Sequence, residues 1–244
     1  MRLIIFGKGR VGSAFAVYAS DLGHEVDAVS HAEADGAEAA LFRRIAHADL
    51  VAAAIPDGAL AGFAARFGTA FQERPAIHFS GALIIPGMSS YHPLYSFPAS
   101  PLPPAMTRRI AIAREDGARP FGEILPGAAN PEFAVPSKDR ALYHALAVLS
   151  GNFSAHLWNE TAKIFAGEFP DAPAGTLNAY FQSLVDRFGE SPEASMTGPL
   201  ARRDGATVKA NLEALSGAPH LEALYRAFLR SAWPEYDESS RKKP

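Results

Sequence analysis

The opening stretch, RLIIFGKGRVGSAF, constrains the fold more than any other part of the chain. Residues 2–6 are an apolar run of strand length, followed by a glycine-rich turn and then by Val11, Phe15, Tyr18 and Leu22 at helical spacing. Gly23 ends that helix and HEVDAVS reads as a second strand, so the first thirty residues spell the strand, helix, strand unit of parallel sheets. In that context Gly7 permits the sharp exit from the strand, Gly9 lets backbone approach a pyrophosphate, and Gly12 allows the helix to pack closely on the sheet. The amides of Arg10 and Val11 then face the anion, aided by the helix dipole.

A site for NAD usually carries an acidic residue about 20 positions onward, at the end of the second strand, to hold the ribose hydroxyls. Ser30 and His31 stand there instead, and Asp27 falls in mid-strand. Without a carboxylate the repulsion of a 2′-phosphate is gone, and Ser30, His31 and Arg10 can donate hydrogen bonds or charge to it. NADP is therefore favoured over NAD.

The alternation continues. ADLVAAAIP reads as a buried strand with Asp57 capping the next helix, whose stripe is Leu60, Phe63, Phe67 and Phe71. Pro56 and Asp57, at the exit of that strand, join the cofactor-binding candidates. PAIHFSG is another strand, and extended pieces around SYHPLYSF and RRIAIAR complete the sheet before a stretch rich in Gly and Pro. Beyond it only helices are expected: a long one over 138–168 capped by Ser137, then 176–188, 206–216 and 219–232. The fold class is thus an α/β Rossmann-type doubly wound parallel sheet followed by an all-α domain. The expected division is a dinucleotide-binding domain over 1–115, a linker over 116–136, a helical substrate and dimerisation domain over 137–234, and a mobile tail over 235–244. Leu142, Leu146, Leu149, Phe153, Leu157 and Ile164 make the long helix apolar on nearly every side, which suits the centre of the helical domain or a homodimer interface.

Composition excludes several classes. The 244 residues are 48% hydrophobic and 20% charged, enough for a substantial core. A net charge of -3 with scattered Lys and Arg gives no field for nucleic acid. The chain has no cysteine, hence no disulfide framework and no thiolate nucleophile, and no secretory h-region or membrane span is read, so a cytoplasmic location is expected. The eight histidines are dispersed, and no metal site is expected.

Ligands of open parallel sheets bind outside the carboxyl ends of the strands. HFSG puts Ser80 and Gly81 at such an end, where a hydroxyl and an amide can hold a substrate oxygen, while His78 inside the strand reads as a core histidine. His92, held extended by Pro93, can aim across the same edge or serve structure alone. On the long helix, His144 and Asn152 are eight positions apart and so lie within roughly 80° of one another in α-geometry. Lys138 stands at that helix's first turn, and His or Lys can supply the proton of a carbonyl reduction. Arg202 can clamp a carboxylate, and Asp204 can cap the helix after it.

The ordered set GKGRVGSAF, IPDGAL, HFSGAL, YHPLYSF, KDRALYHALAVLSGNF and TGPLARRDGATVKANLEAL resembles the Rossmann-like proteins with a DUF2520 helical domain, over nearly the whole chain. The resemblance implies kinship with the 6-phosphogluconate dehydrogenase, pyrroline-carboxylate reductase and ketopantoate reductase group, whose helical C-terminal domains complete the active site and often dimerise. It also implies that Lys138, His144, Asn152, Ser80, Gly81, His92, Arg202 and Asp204 belong to the site region. Where the family pattern reads Arg-Gly-Asp, this chain has Arg202, Arg203 and Asp204. The expected activity is hydride transfer between NADPH and a carbonyl or imine of a small carboxylate-bearing metabolite, with Lys138 or His144 handling the proton and Asn152 and Ser80 orienting the substrate. The alternatives are a ketopantoate-reductase-like enzyme and a non-catalytic NADP-binding sensor.

Overall fold

A computed structural model describes residues 1–34, 38–71 and 74–236. It divides into two compact units, Met1–Phe153 and Ser154–Pro244. The first begins with β1 (Arg2–Phe6), α1 (Arg10–Asp21), β2 (Glu25–Val29), α2 (His31–Ala34) and α3 (Glu38–Ala46). It continues with β3 (Leu50–Ala53), α4 (Asp57–Phe71), β4 (Ala76–His78), β5 (Ser89–Pro93), α5 (Pro104–Thr107), β6 (Ile112–Glu115), α6 (Phe121–Ile124) and β7 (Glu132–Val135). A 3₁₀ turn (Ser137–Asp139), α7 (Arg140–Ala147) and a π-helical turn (Val148–Phe153) end it.

The sheet order is β2-β1-β3-β4-β5-β6-β7, with β1 to β5 parallel, β6 antiparallel to β5, and β7 parallel to β6. Successive side chains of a strand point to opposite faces, so each buried strand feeds two cores. Leu3, Ile5, Leu50 and Ala52 join Phe15 and Tyr18 of α1 on one face. Ile4, Phe6, Val51 and Ala53 join Leu41 and Ile45 of α3 and the Phe63, Phe67 and Phe71 stripe of α4 on the other. The Phe6 ring lies 4.8 Å from Phe63 and 5.6 Å from Phe67, centroid to centroid. Each such fully buried ring contributes about 1.5–3 kcal/mol of transfer free energy.

Two departures from expectation concern this unit. Residues 116–136, expected as a linker, contain α6 and β7: Phe121 and Ile124 are buried, and β7 pairs with β6 from Ile112↔Glu132 to Glu115↔Val135. The single helix expected over 138–168 is instead a 3₁₀ turn, α7, the π-turn and a further helix. Ser137 lies in the 3₁₀ turn, and no side chain caps α7.

The second unit holds α8 (Ser154–Glu168), α9 (Thr176–Glu190), a 3₁₀ turn (Pro192–Ala194), α10 (Gly198–Ala201), α11 (Gly205–Ala214), a further 3₁₀ turn (Leu215–Gly217) and α12 (Pro219–Ala232). Its buried cluster is Val208, Leu212 and Leu229, with Leu200, Tyr225, Trp233 and Tyr236 packed against it. Of the expected tail, residues 237–244 lie outside the described residues. No helix among the described residues is long and apolar enough to cross a membrane.

Candidate functional site

The glycine turn between β1 and α1 takes the form its spacing implies. Gly7 sits at φ +103°, and a Cβ there would lie 2.2 Å from the Ala54 carbonyl oxygen. A Cβ on Gly12 would lie 1.9 Å from the Gly7 oxygen, so the helix and turn touch backbone to backbone. Gly9 is different: nothing stands within 4 Å of an added Cβ. It is the N-cap of α1, makes no side-chain cap, and the first turn carries no acidic residue. The start of α1 at Arg10 and Val11 is therefore open and electropositive, which is what a phosphate needs. Arg10 reaches across the turn, and its guanidinium donates to the Phe97 carbonyl at 3.5 Å.

At the end of β2 the structure places a carboxylate that the sequence reading passed over. Ser30 donates to Glu33 through both its amide, at 2.8 Å, and its hydroxyl, at 2.6 Å, and the Glu33 amide donates back to that hydroxyl at 3.3 Å. This is a capping box, and the Ser-x-x-Glu spacing of SHAE was its legible signal. Lys8 of the glycine turn pairs with the same carboxylate at 3.1 Å. The Ser30 hydrogen bonds, then Lys8, hold the Glu33 carboxyl down at about 2. His31 is exposed in the first turn of α2. Asp27 faces α3, where the Arg44 guanidinium grips it with two hydrogen bonds.

The second cluster lies where β4 and β5 end. Pro56 precedes α4, and Asp57 is the first residue of that helix rather than its cap. Its carboxylate accepts the Ser80 hydroxyl at 2.8 Å, while the Ser80 oxygen accepts the Ala82 and Leu83 amides at 3.3 and 3.2 Å. Ser80, expected to face substrate, thus spends its hydroxyl inside the protein. His78 is fully buried, its Nδ1 accepting the Ser80 amide at 3.3 Å and its Nε2 lacking a partner among the described residues. Burial, with the Arg140 cation adding to it, pushes its imidazole down to about 4 against the pull of Asp57.

Two periodicities meet at β5 and α7. Ser90 and His92 share one face of the strand, and Arg140, Tyr143 and His144 share one face of the helix. The Arg140 side chain is 1% exposed, and its Nη2 donates to the Ser90 hydroxyl and, at 3.1 Å, to the Ser80 carbonyl. Ser90 donates to that carbonyl at 2.7 Å, and its amide donates to Glu115 at 3.1 Å. Arg140 Nε and Nη1 have no partner among the described residues. One turn on, the Tyr143 hydroxyl lies 2.7 Å from His92 Nδ1, and the His144 ring packs edge-on against His92 at 5.8 Å. Gly81 is wedged beneath both: a Cβ there would come within 2.5 Å of His144 and 3.1 Å of His92. Burial is the first cause that pushes the His92 imidazole down to about 4, followed by His144 and Arg140, with Asp57 opposing. Burial also pushes the Tyr143 phenol up to about 12.

Gly7, Gly9, Gly12, Asp57, Ser80, Gly81, His92 and His144, all expected site residues, thus flank the carboxyl ends of the parallel strands in this unit. Lys138 is exposed in the 3₁₀ turn and Asn152 is exposed in the π-turn, so the α-geometry that related Asn152 to His144 does not hold between them. Arg202 and Asp204 belong to the second unit. Asp204 caps α11 as expected, its carboxylate accepting the Thr207 amide at 3.1 Å and hydroxyl at 2.7 Å. Arg202 is exposed at the end of α10. Arg203, where the family pattern has glycine, sits at φ +55°, the left-handed region that glycine favours. Arg140 was not foreseen, because a charged residue is almost never fully buried, and Tyr143, the neighbour of His144, was given no role of its own. Among the described residues no group of three or more His, Cys, Asp or Glu is placed to hold a metal.

Residues 113–232 match the family DUF2520, Domain of unknown function (DUF2520), the family that the sequence resembles. No curated protein matches. Solved structures share the fold, three of them as follows. A candidate NADP oxidoreductase from Bacteroides fragilis superposes with a TM-score of 0.72 at 18% identity, over 95% of this chain and 97% of that one. An imine reductase from Streptomyces aurantiacus gives 0.61 at 14% identity, over 95% and 93%. A pyrroline carboxylate reductase from Plasmodium falciparum, with NADP bound, gives 0.57 at 11% identity, over 95% of each chain. The chain therefore has the Rossmann-type fold followed by a helical region that was expected.

Proposed function

We propose that the protein is an NADP-dependent oxidoreductase acting on a carbonyl or imine of a small carboxylate-bearing metabolite. The observation that carries this reading is the open glycine turn: Gly7 and Gly12 are fixed by contact, while Gly9 and the uncapped start of α1 leave room for a diphosphate. The cofactor would supply hydride from carbon 4 of its nicotinamide. Gly9, Arg10 and Val11 hold the diphosphate through backbone amides. Lys8 and Arg10 offer charge to a 2′-phosphate, with the Glu33 carboxylate, paired to Lys8, set against it. Ser30 and Asp57 position backbone near the turn, and the His92, Tyr143 and His144 cluster beyond β4 handles the proton. Lys138 and Asn152, both exposed in the first unit, would contribute by orienting the substrate. The names of the structurally similar proteins, an imine reductase and a pyrroline carboxylate reductase with NADP bound, support C=N or C=O chemistry.

The helical end of the first unit supports a homodimer. Leu142, Leu146, Leu149 and Phe153 are each more than half exposed and follow one another at spacings of four, three and four. Soluble monomers rarely expose a contiguous stripe of that kind.

The test is to titrate the purified protein with NADPH and NADH, then to follow the nicotinamide absorbance with a panel of oxo acids and cyclic imines. Binding of NADPH ahead of NADH, and turnover of at least one probe, is expected. Binding without turnover of any probe would favour the sensor, and no binding would remove both readings.

A further inference from the structure

His92 and Tyr143 form a pair that no local pattern couples, one from β5 and one from α7. The phenol oxygen and Nδ1 are 2.7 Å apart, and both side chains are half-buried rather than sealed. Around them stand His144, in edge contact, and Arg140 from the same helix, with Asp57 from the start of α4. Phe133 of β7 closes the far side of the Tyr143 ring at 5.9 Å. Fixed in this way, the phenol cannot swing to another partner without losing its contacts to both rings. The pair lies beside Gly81, at the edge of the sheet where ligands of this fold bind.

We propose that Tyr143 is the proton donor of this site and that His92 reloads it. The inference rests on the hydride-transfer reading above. His92 carries its proton on Nδ1 and donates it to the phenol oxygen, which leaves the Tyr143 hydrogen free to point at a substrate. As hydride from the reduced nicotinamide reaches the carbonyl or imine carbon, the Tyr143 O–H bond breaks and an O–H or N–H bond forms on the substrate. The phenolate takes the Nδ1 proton of His92 while a proton from solvent is delivered at Nε2, and exchange with solvent then returns the ring to its Nδ1–H tautomer for the next turnover. The imidazole passes between its two neutral tautomers, so the only charge formed on these residues is the transient phenolate. A histidine that is neutral across the physiological range suits this role, and the buried Arg140 cation helps to keep it so. Tyr143 is thus the catalytic residue and His92 a positioning and relay residue.

The first test needs no substrate. Nitrogen-15 NMR of the free protein should show the His92 ring protonated at Nδ1, and Tyr143→Phe should shift that signal while the protein still melts cooperatively. A ring protonated only at Nε2, with Nδ1 accepting from the phenol, overturns the proposal. The second uses NADPH with the oxo acids and cyclic imines. Tyr143→Phe should lower kcat roughly 100-fold, with NADPH affinity unchanged. His92→Ala should fall similarly and recover in part on addition of free imidazole, which a merely structural histidine would not do. Full turnover by Tyr143→Phe, or no imidazole recovery in a folded His92→Ala, refutes the relay alone. A wild-type protein that oxidises NADPH with none of the probes refutes the hydride-transfer reading itself.

Discussion

The two units of this chain are packed in different ways. In the sheet unit the strands are buried on both faces, and two clusters of large side chains, Phe15 and Tyr18 on one side and Phe63, Phe67 and Phe71 on the other, are nearly closed to solvent. In the helical unit neither α8 nor α9 has a buried residue, and Phe169, Tyr180, Val185, Phe188 and Phe228 are more than half exposed. Both segments are rich in apolar residues, so composition does not separate them. The difference is whether those residues find partners within the chain. The sheet unit completes its core around the strands and leaves large apolar side chains exposed chiefly at its C-terminal end, from Leu142 to Phe153, whereas the helical unit exposes them along most of its length.

That contrast can be broken by paired truncations. Phe67→Ala should cost about 3–5 kcal/mol in urea denaturation, the range for a large buried aromatic. Phe188→Ala should cost within about 0.5 kcal/mol in the dilute protein. Equal losses would mean that the helical unit is as well packed as the sheet. Acid should act on the sheet unit next. His78 and His92 each titrate near 4 in the fold against 6.5 as free side chains. Since the folded values are depressed, the unfolded chain binds more protons between those limits, and stability is lost as pH falls from about 6.5 to 4. His78→Asn with His92→Gln should flatten that acid limb, and an unchanged limb would assign it to other groups. Leu146→Glu with Leu149→Glu, at the exposed C-terminal end of the sheet unit, should then halve the mass seen by light scattering without destabilising the buried strand core. A wild-type mass of one chain at all concentrations would remove the homodimer.

The smallest effect is expected at Arg203. Its left-handed backbone costs about 1–2 kcal/mol for a residue with a side chain. The exposed ion pair to Glu235 at 3.1 Å and the stacking over Trp233 at 5.3 Å offset part of that. Arg203→Gly relieves the strain, forfeits those contacts and frees the unfolded chain, so the net change should stay under about 1 kcal/mol. A larger loss by thermal melting would make the arginine's contacts, rather than its backbone, decisive.

What could be read from the sequence was the part governed by local pattern. The strand, glycine turn and helix at residues 2–21, the phenylalanine stripe of α4, and the extents of α9, α11 and α12 all follow from periodicity and breakers. β7 was missed because EFAV is four residues in a stretch of Gly and Pro, and its strand identity comes from pairing with β6, a non-local event. α3 was also passed over, although Leu41 and Ile45 carry a helical spacing. In the candidate site, His92, Gly81 and His144 were singled out one by one, and only the fold shows that the glycine is small because two imidazoles press on it. Arg140 and Tyr143 had no local signal, since their roles depend on Ser80, Ser90 and His92 brought in from other strands.

The central claim is that a dinucleotide rests on the turn at Gly9, and one calorimetric comparison addresses it. Gly9 has an ordinary extended backbone, φ -74°, and open space where a side chain would stand, so Gly9→Asp should fold and melt like the wild type. Its carboxylate would occupy and repel the position of the diphosphate. The account predicts that NADPH binds the wild-type protein and that binding to Gly9→Asp is abolished at an unchanged melting temperature. Equal binding to both proteins would contradict it.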